Sequence, residues 1–117
     1  MSHQVKPSDL ASTAAPYGRT PFLVFAGDSG SARINHVVVD IVDHDGGTHA
    51  RCTGFGRGVP ARVGAGATLS LLWPAPEAGA FSLIADGIGT IDGDLLSIEI
   101  SSAVLHRPAP VDGRDSC

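Results

Sequence analysis

Gly54-Phe-Gly-Arg-Gly58 is the segment whose residue types and spacing suit a chemical task. Closely spaced glycines let backbone N–H groups approach an anion, and Arg57 and Arg62 add guanidinium forks that match phosphate or carboxylate oxygens. The spacing is not G-x-G-x-x-G, because Val59 stands where the third glycine would, and no Gly-Lys-Ser/Thr follows as in a nucleotide-triphosphate loop. Two readings therefore stand side by side, a phosphate cradle and a plain flexible loop. Period-two alternation adds Arg51 and Thr53 to the face of Arg57 wherever the chain stays extended, which makes an anion cluster. In the competing reading Arg51 covers the outside of the sheet and pairs with Asp40 or Asp43 across a hairpin.

Other polar groups fail as chemical centres. Gly27-Asp-Ser-Gly30 matches the surroundings of the nucleophile in chymotrypsin-like proteases, but that mechanism needs a base and an orienting carboxylate, and only His3 and Asp9 stand ahead of the motif. It reads as a polar turn. His36 and His44 lie eight residues apart, roughly 26 Å on an extended strand, too far to share a metal. His44 and His49 become cross-strand neighbours if Gly46-Gly47 is the turn, yet two ligands do not close a site, and no metal is expected. Trp73, the only tryptophan, reads as a core or interface plug. Cys52 and Cys117 do not form the cysteine framework of a small secreted domain.

A chain of 117 residues with 43% hydrophobic and 17% charged residues has the composition of one folded domain. Its net charge of −4 removes the basic footprint of a nucleic-acid binder. Lys6 is the only lysine, so positive charge comes almost wholly from arginine, which leaves a small anionic ligand open. No apolar run has membrane-spanning length and no secretory start is visible, so the expected setting is the cytoplasm, with no membrane partner. Few aromatics and many aliphatics make a thin core, one that a partner chain could complete.

The elements that must carry these residues are strands. Residues 1–20, rich in Ser, Ala, Thr and Pro, read as a flexible arm, and residues 111–117 as a flexible tail; the domain is expected over 21–110. Strands are expected at 21–26, at 32–43 as one long strand with Val37, Val39 and Ile41 inward, and at 49–53, 67–73, 80–91 and 95–101. Turn residues separate them at Gly27–Gly30, Asp45–Thr48 and Asp92-Gly93. Residues 54–66 hold five glycines and a proline, compatible with one loose helical turn. Six short strands with at most one or two short helices describe an all-β barrel or sandwich.

On Gly54-Phe-Gly-Arg-Gly58, Thr68-Leu-Ser-Leu-Leu-Trp-Pro74, the Ala85-Asp-Gly-Ile-Gly89 strand and Val104-Leu-His-Arg-Pro-Ala-Pro110, residues 21–110 resemble the pyridoxamine 5′-phosphate oxidase-like split-barrel family. The resemblance implies a six-stranded antiparallel split barrel, paired as a two-fold homodimer, with FMN or a deazaflavin in each interface groove. It implies flavin-dependent oxidoreductase chemistry on an undefined substrate, and it carries the cofactor-binding role onto Arg51, Thr53, Phe55, Gly56, Arg57 and Arg62. Flavin-binding members carry a basic run where Gly58-Val-Pro60 stands. That departure keeps a second reading open, a non-catalytic binding or interaction barrel with a degenerate flavin groove.

Overall fold

The computed structural model describes residues 2–108. The described residues form eight strands: β1 (Ser2–Val5), β2 (Phe22–Ala26), β3 (Ala32–His36), β4 (Val38–His44), β5 (Gly47–Thr53), β6 (Thr68–Trp73), β7 (Ser82–Asp92) and β8 (Leu95–His106). Two short helices, α1 (Leu10–Ala14) and α2 (Val59–Gly64), complete the fold. All ladders are antiparallel, in the order β3-β2-β6-β7-β8-β5-β4, with β1 added beside β8. The molecule is all-β.

The expectation of six strands is corrected to eight, for two reasons. The long strand expected over 32–43 breaks at Val37, where the chain changes partner: β3 pairs with β2, while β4 pairs with β5. At the break the N–H of Val37 donates to the Pro21 carbonyl at 3.2 Å and that of Val39 to the Arg19 carbonyl at 2.8 Å, so both amides keep an acceptor. The end strands of the sheet are thus consecutive in the chain, and the sheet curls until its edges meet at one residue. Among the described residues no ladder joins β3 to β4, so the sheet is not closed.

The second reason lies in the first 20 residues, which were expected to be a flexible arm and instead carry regular structure. β1 pairs with the second half of β8, from Ser2↔His106 to Val5↔Ala103, and α1 follows between 3₁₀ turns at Pro7–Asp9 and Ala15–Tyr17. Leu10 and Ala14, one helical turn apart, both enter the core, with Leu10 fully enclosed. Burying a leucine side chain contributes about 1.5–3 kcal/mol, which offsets the ordering of the segment. Two longer-range bonds fix it: Trp73 Nε1 donates to the Gly18 carbonyl at 3.0 Å, and the Tyr17 hydroxyl to the Phe81 carbonyl at 2.8 Å.

The core is built from alternate residues of six strands, among them Leu23, Val39, Cys52, Leu71, Leu83 and Ile98. On β7 the inward positions 87 and 89 are glycines, and a β-bulge lies between Asp86 and Gly87. A Cβ at Gly89 would stand 2.8 Å from Leu96 Cδ1, 2.9 Å from Leu69 Cδ1 and 3.2 Å from Val63 Cγ2. The missing side chain therefore lets α2 lie directly on the sheet. Residues 109–117, including the tail expected at 111–117 and Cys117, fall outside the described residues.

Candidate functional site

A groove of about 690 Å³ opens between the β2–β3 hairpin, the exit of β5 and α2. Val37 faces the core, and Arg33 and Asn35 share its parity on the run through β3, so polar residues occupy inward positions at the mouth of the curled sheet. Asn35 Nδ2 donates to the Phe55 carbonyl at 2.7 Å, tying β3 to the β5 exit. Gly56, at φ +90°, packs so closely there that a Cβ would stand 2.9 Å from Asn35 Nδ2. The positive φ favours glycine there, and any side chain would also have to displace the Asn35 amide from its bond.

This geometry corrects the shared face expected for Arg51, Thr53 and Arg57. The extended run ends at Thr53, and Gly54 and Gly56, both at positive φ, turn the chain away. Arg57 consequently lines the groove, while Arg51 and Thr53 do not. Arg51 stands exposed on β5, opposite Asp40 on one side and Ser97 on the other, and Thr53 faces Val38. Asp40 does bind an arginine, but it is Arg19, at 2.9 Å to Nε and 2.8 Å to Nη2. Phe55 packs partly buried against the core and offers the site only its carbonyl.

Arg62 comes from α2, where Val59 is buried and Pro60 occupies the first turn, which needs no N–H there. Its side chain is 27% exposed, and Nη1 lies 3.7 Å from Asp28 Oδ1. Its Nε is enclosed and has no hydrogen-bond partner. A buried donor without an acceptor is costly, and more so on a charged group. Arg33 lies across the hairpin, close enough that a Cβ on Gly27 would stand 3.0 Å from its Nε. Three guanidiniums thus converge on one groove with a single carboxylate, Asp28, among its lining.

Of the six residues expected to bind a cofactor, the structure brings together Gly56, Arg57 and Arg62 and leaves Arg51, Thr53 and Phe55 outside the groove lining. The sequence reading missed Arg33, Asn35 and Asp28. Parity was the available signal, because polar residues at 33 and 35 continue the inward series of Val37, Val39 and Ile41.

Elsewhere the polar groups have structural explanations. Gly27–Gly30 closes the β2–β3 hairpin, and Ser29 Oγ donates to Ser31 Oγ at 3.2 Å. The β4–β5 turn falls on Asp45-Gly46, both at positive φ, so His44 pairs with Gly47 and the rings of His44 and His49 lie 6.0 Å apart. Among the described residues no group of three or more His, Cys, Asp or Glu could hold a metal ion, and no helix is long and apolar enough to cross a membrane. Burial pushes the Cys52 thiol up to about 12, so it stays protonated at neutral pH. Comparison with protein-family models, curated proteins and solved structures found no match to this chain.

Proposed function

We propose that the arginine-lined groove binds the phosphate of a flavin, FMN or a deazaflavin, and that the chain is a flavin-binding split-barrel protein serving a small cytoplasmic oxidoreductase activity. The convergence of Arg33, Arg57 and Arg62 on one groove carries this reading, since their accessible guanidinium N–H groups offer charge-assisted bonds to phosphate oxygens. Groove size supports it: about 690 Å³ lies inside the roughly 300–1,000 Å³ range of small-ligand pockets. The residues present fit an anionic group, with Arg57 and Arg33 flanking Arg62 and Asn35 holding the glycine exit in place. When bound, the flavin supplies hydride or electron transfer; the chain binds and orients it.

A homodimer goes with this reading. Ile34 and Ile88, 63% and 48% exposed, lie on the outward side of the sheet, where half-buried Phe22, Leu72 and Ile84 form a cross-strand row. An apolar face of this kind marks a protein interface.

The test is the visible spectrum of the purified protein, followed by titration with FMN and, in parallel, a deazaflavin. Saturable binding is expected, weakened about 10- to 100-fold by Arg62→Ala and by Arg57→Ala, since each removes charge-assisted bonds. No binding of either flavin, or affinities unmoved by both substitutions, contradicts the reading. The second reading, a non-catalytic module for another small anion, draws on Gly58-Val-Pro60, which brings no charge to the groove. Arginine-dependent binding of inorganic phosphate without flavin binding would select it.

A further inference from the structure

The hairpin tip places a carboxylate where the groove is otherwise cationic. Asp28 is 93% exposed, and its Oδ1 stands 3.7 Å from Arg62 Nη1, beyond hydrogen-bond reach. An exposed, long pair of this kind does little for stability. Nor does the turn need it, because backbone bonds close the hairpin: Gly27 N–H to the Ser31 carbonyl at 2.8 Å and Gly30 N–H to the Gly27 carbonyl at 2.9 Å. An anion bound to the exposed end of Arg62 shares the groove with this carboxylate.

We infer that Asp28 is a built-in counter-anion that competes with the ligand for Arg62 and so sets the charge the groove accepts. The inference rests on the phosphate-binding reading above. Repulsion from Asp28 grows with ligand charge, so a single phosphate is penalised moderately and a di- or triphosphate more heavily. A hydroxyl beside the phosphate, by contrast, donates a hydrogen bond to the carboxylate. The favoured ligand class is therefore a monophosphate ester of a polyol, and pyrophosphate-bearing ligands are discriminated against. Because Asp28 is exposed, salt screens the effect.

Calorimetric titration of the full chain with inorganic phosphate and with pyrophosphate tests this on wild type, Asp28→Asn, Arg62→Ala and Asp45→Asn. Asp45 is the control, an equally exposed carboxylate on a different hairpin. Both substitutions keep turn-compatible residues, so the fold is retained. At about 20 mM salt, Asp28→Asn should tighten phosphate about threefold and pyrophosphate about tenfold, with both gains shrinking at about 500 mM. Asp45→Asn should change neither. Arginine-dependent binding that Asp28→Asn leaves unchanged, or changes equally for both anions, overturns the inference and leaves the phosphate reading standing. Anion binding in none of the variants, Asp28→Asn included, overturns both.

Discussion

Arg51 and Arg62 carry the same guanidinium, and their surroundings separate them. Arg51 stands exposed on β5, outside the groove lining; Arg62 projects from α2 into that lining, 27% exposed and with its Nε enclosed. Only the second is placed to meet a ligand in the groove. Arg51→Ala is therefore expected to leave FMN affinity within about twofold of wild type, since exposed pairs contribute at most about 1 kcal/mol, while Arg62→Ala weakens it. Parallel titrations of the two variants check the contrast. Cys52 gives a prediction of another kind. Its folded pKa is raised to about 12 from an ordinary 9.0 by burial, so the unfolded chain loses this proton first. Its contribution to stability is complete below pH 9 and falls as pH rises from about 9 to about 12. Denaturant midpoints followed across that window should decline, and Cys52→Ala should flatten the decline.

At the scale of elements, the fold depends on places where a side chain is absent or a small one is enclosed. Gly89→Ala would press Cβ onto the ends of Leu96 and Leu69 and lift α2 through Val63, at about 1–3 kcal/mol. Gly87→Ala should cost more, because its Cβ would meet the Glu99 carbonyl, which is backbone and cannot swing aside. Thermal unfolding of the two variants tests that order. Leu10→Ala should cost about 2–5 kcal/mol if the N-terminal segment is as integral as its burial indicates. Equal stability of this variant and wild type would return the segment to the status of an arm. These positions also mark what the sequence makes legible. Alternation identifies strands and their inward residues, as at Val37–Val39 and Leu96–Ile98–Ile100, because burial on one face imposes period two on the residue types. Leu10 is invisible to that rule, standing alone among Asp, Ser, Ala and Thr, and the core it joins is built from strands far along the chain. The break at Val37 is equally hidden, since the residue types on either side suit a continuous strand and only the change of partner divides them. Half of the groove lining was legible: the glycines and arginines of 54–62 stood out as candidates, and Gly56, Arg57 and Arg62 line the groove, but the turn made by Gly54 and Gly56 depends on φ angles that composition does not reveal.

For the whole molecule, the outward apolar row and the groove belong to one account. β2 and β3 contribute to both, with Phe22, Val24 and Ile34 outward and the hairpin tip at the groove. Asp86 sits within that outward surface, accepting hydrogen bonds from Ser70 Oγ at 2.5 Å and Ser102 Oγ at 3.3 Å. If two copies pair across this face, Ile34→Asp combined with Ile88→Asp should convert the dimer to monomer in sedimentation while leaving the circular dichroism unchanged. A wild-type monomer at micromolar concentration contradicts the proposed pairing. The groove itself is tested most directly by comparing FMN with riboflavin, two ligands that differ only in the phosphate. The account predicts that wild type binds FMN about 100-fold or more tightly than riboflavin, and that the Arg57→Ala, Arg62→Ala double variant abolishes the difference, as the loss of two charge-assisted contacts requires. Equal affinity of wild type for FMN and riboflavin would contradict it.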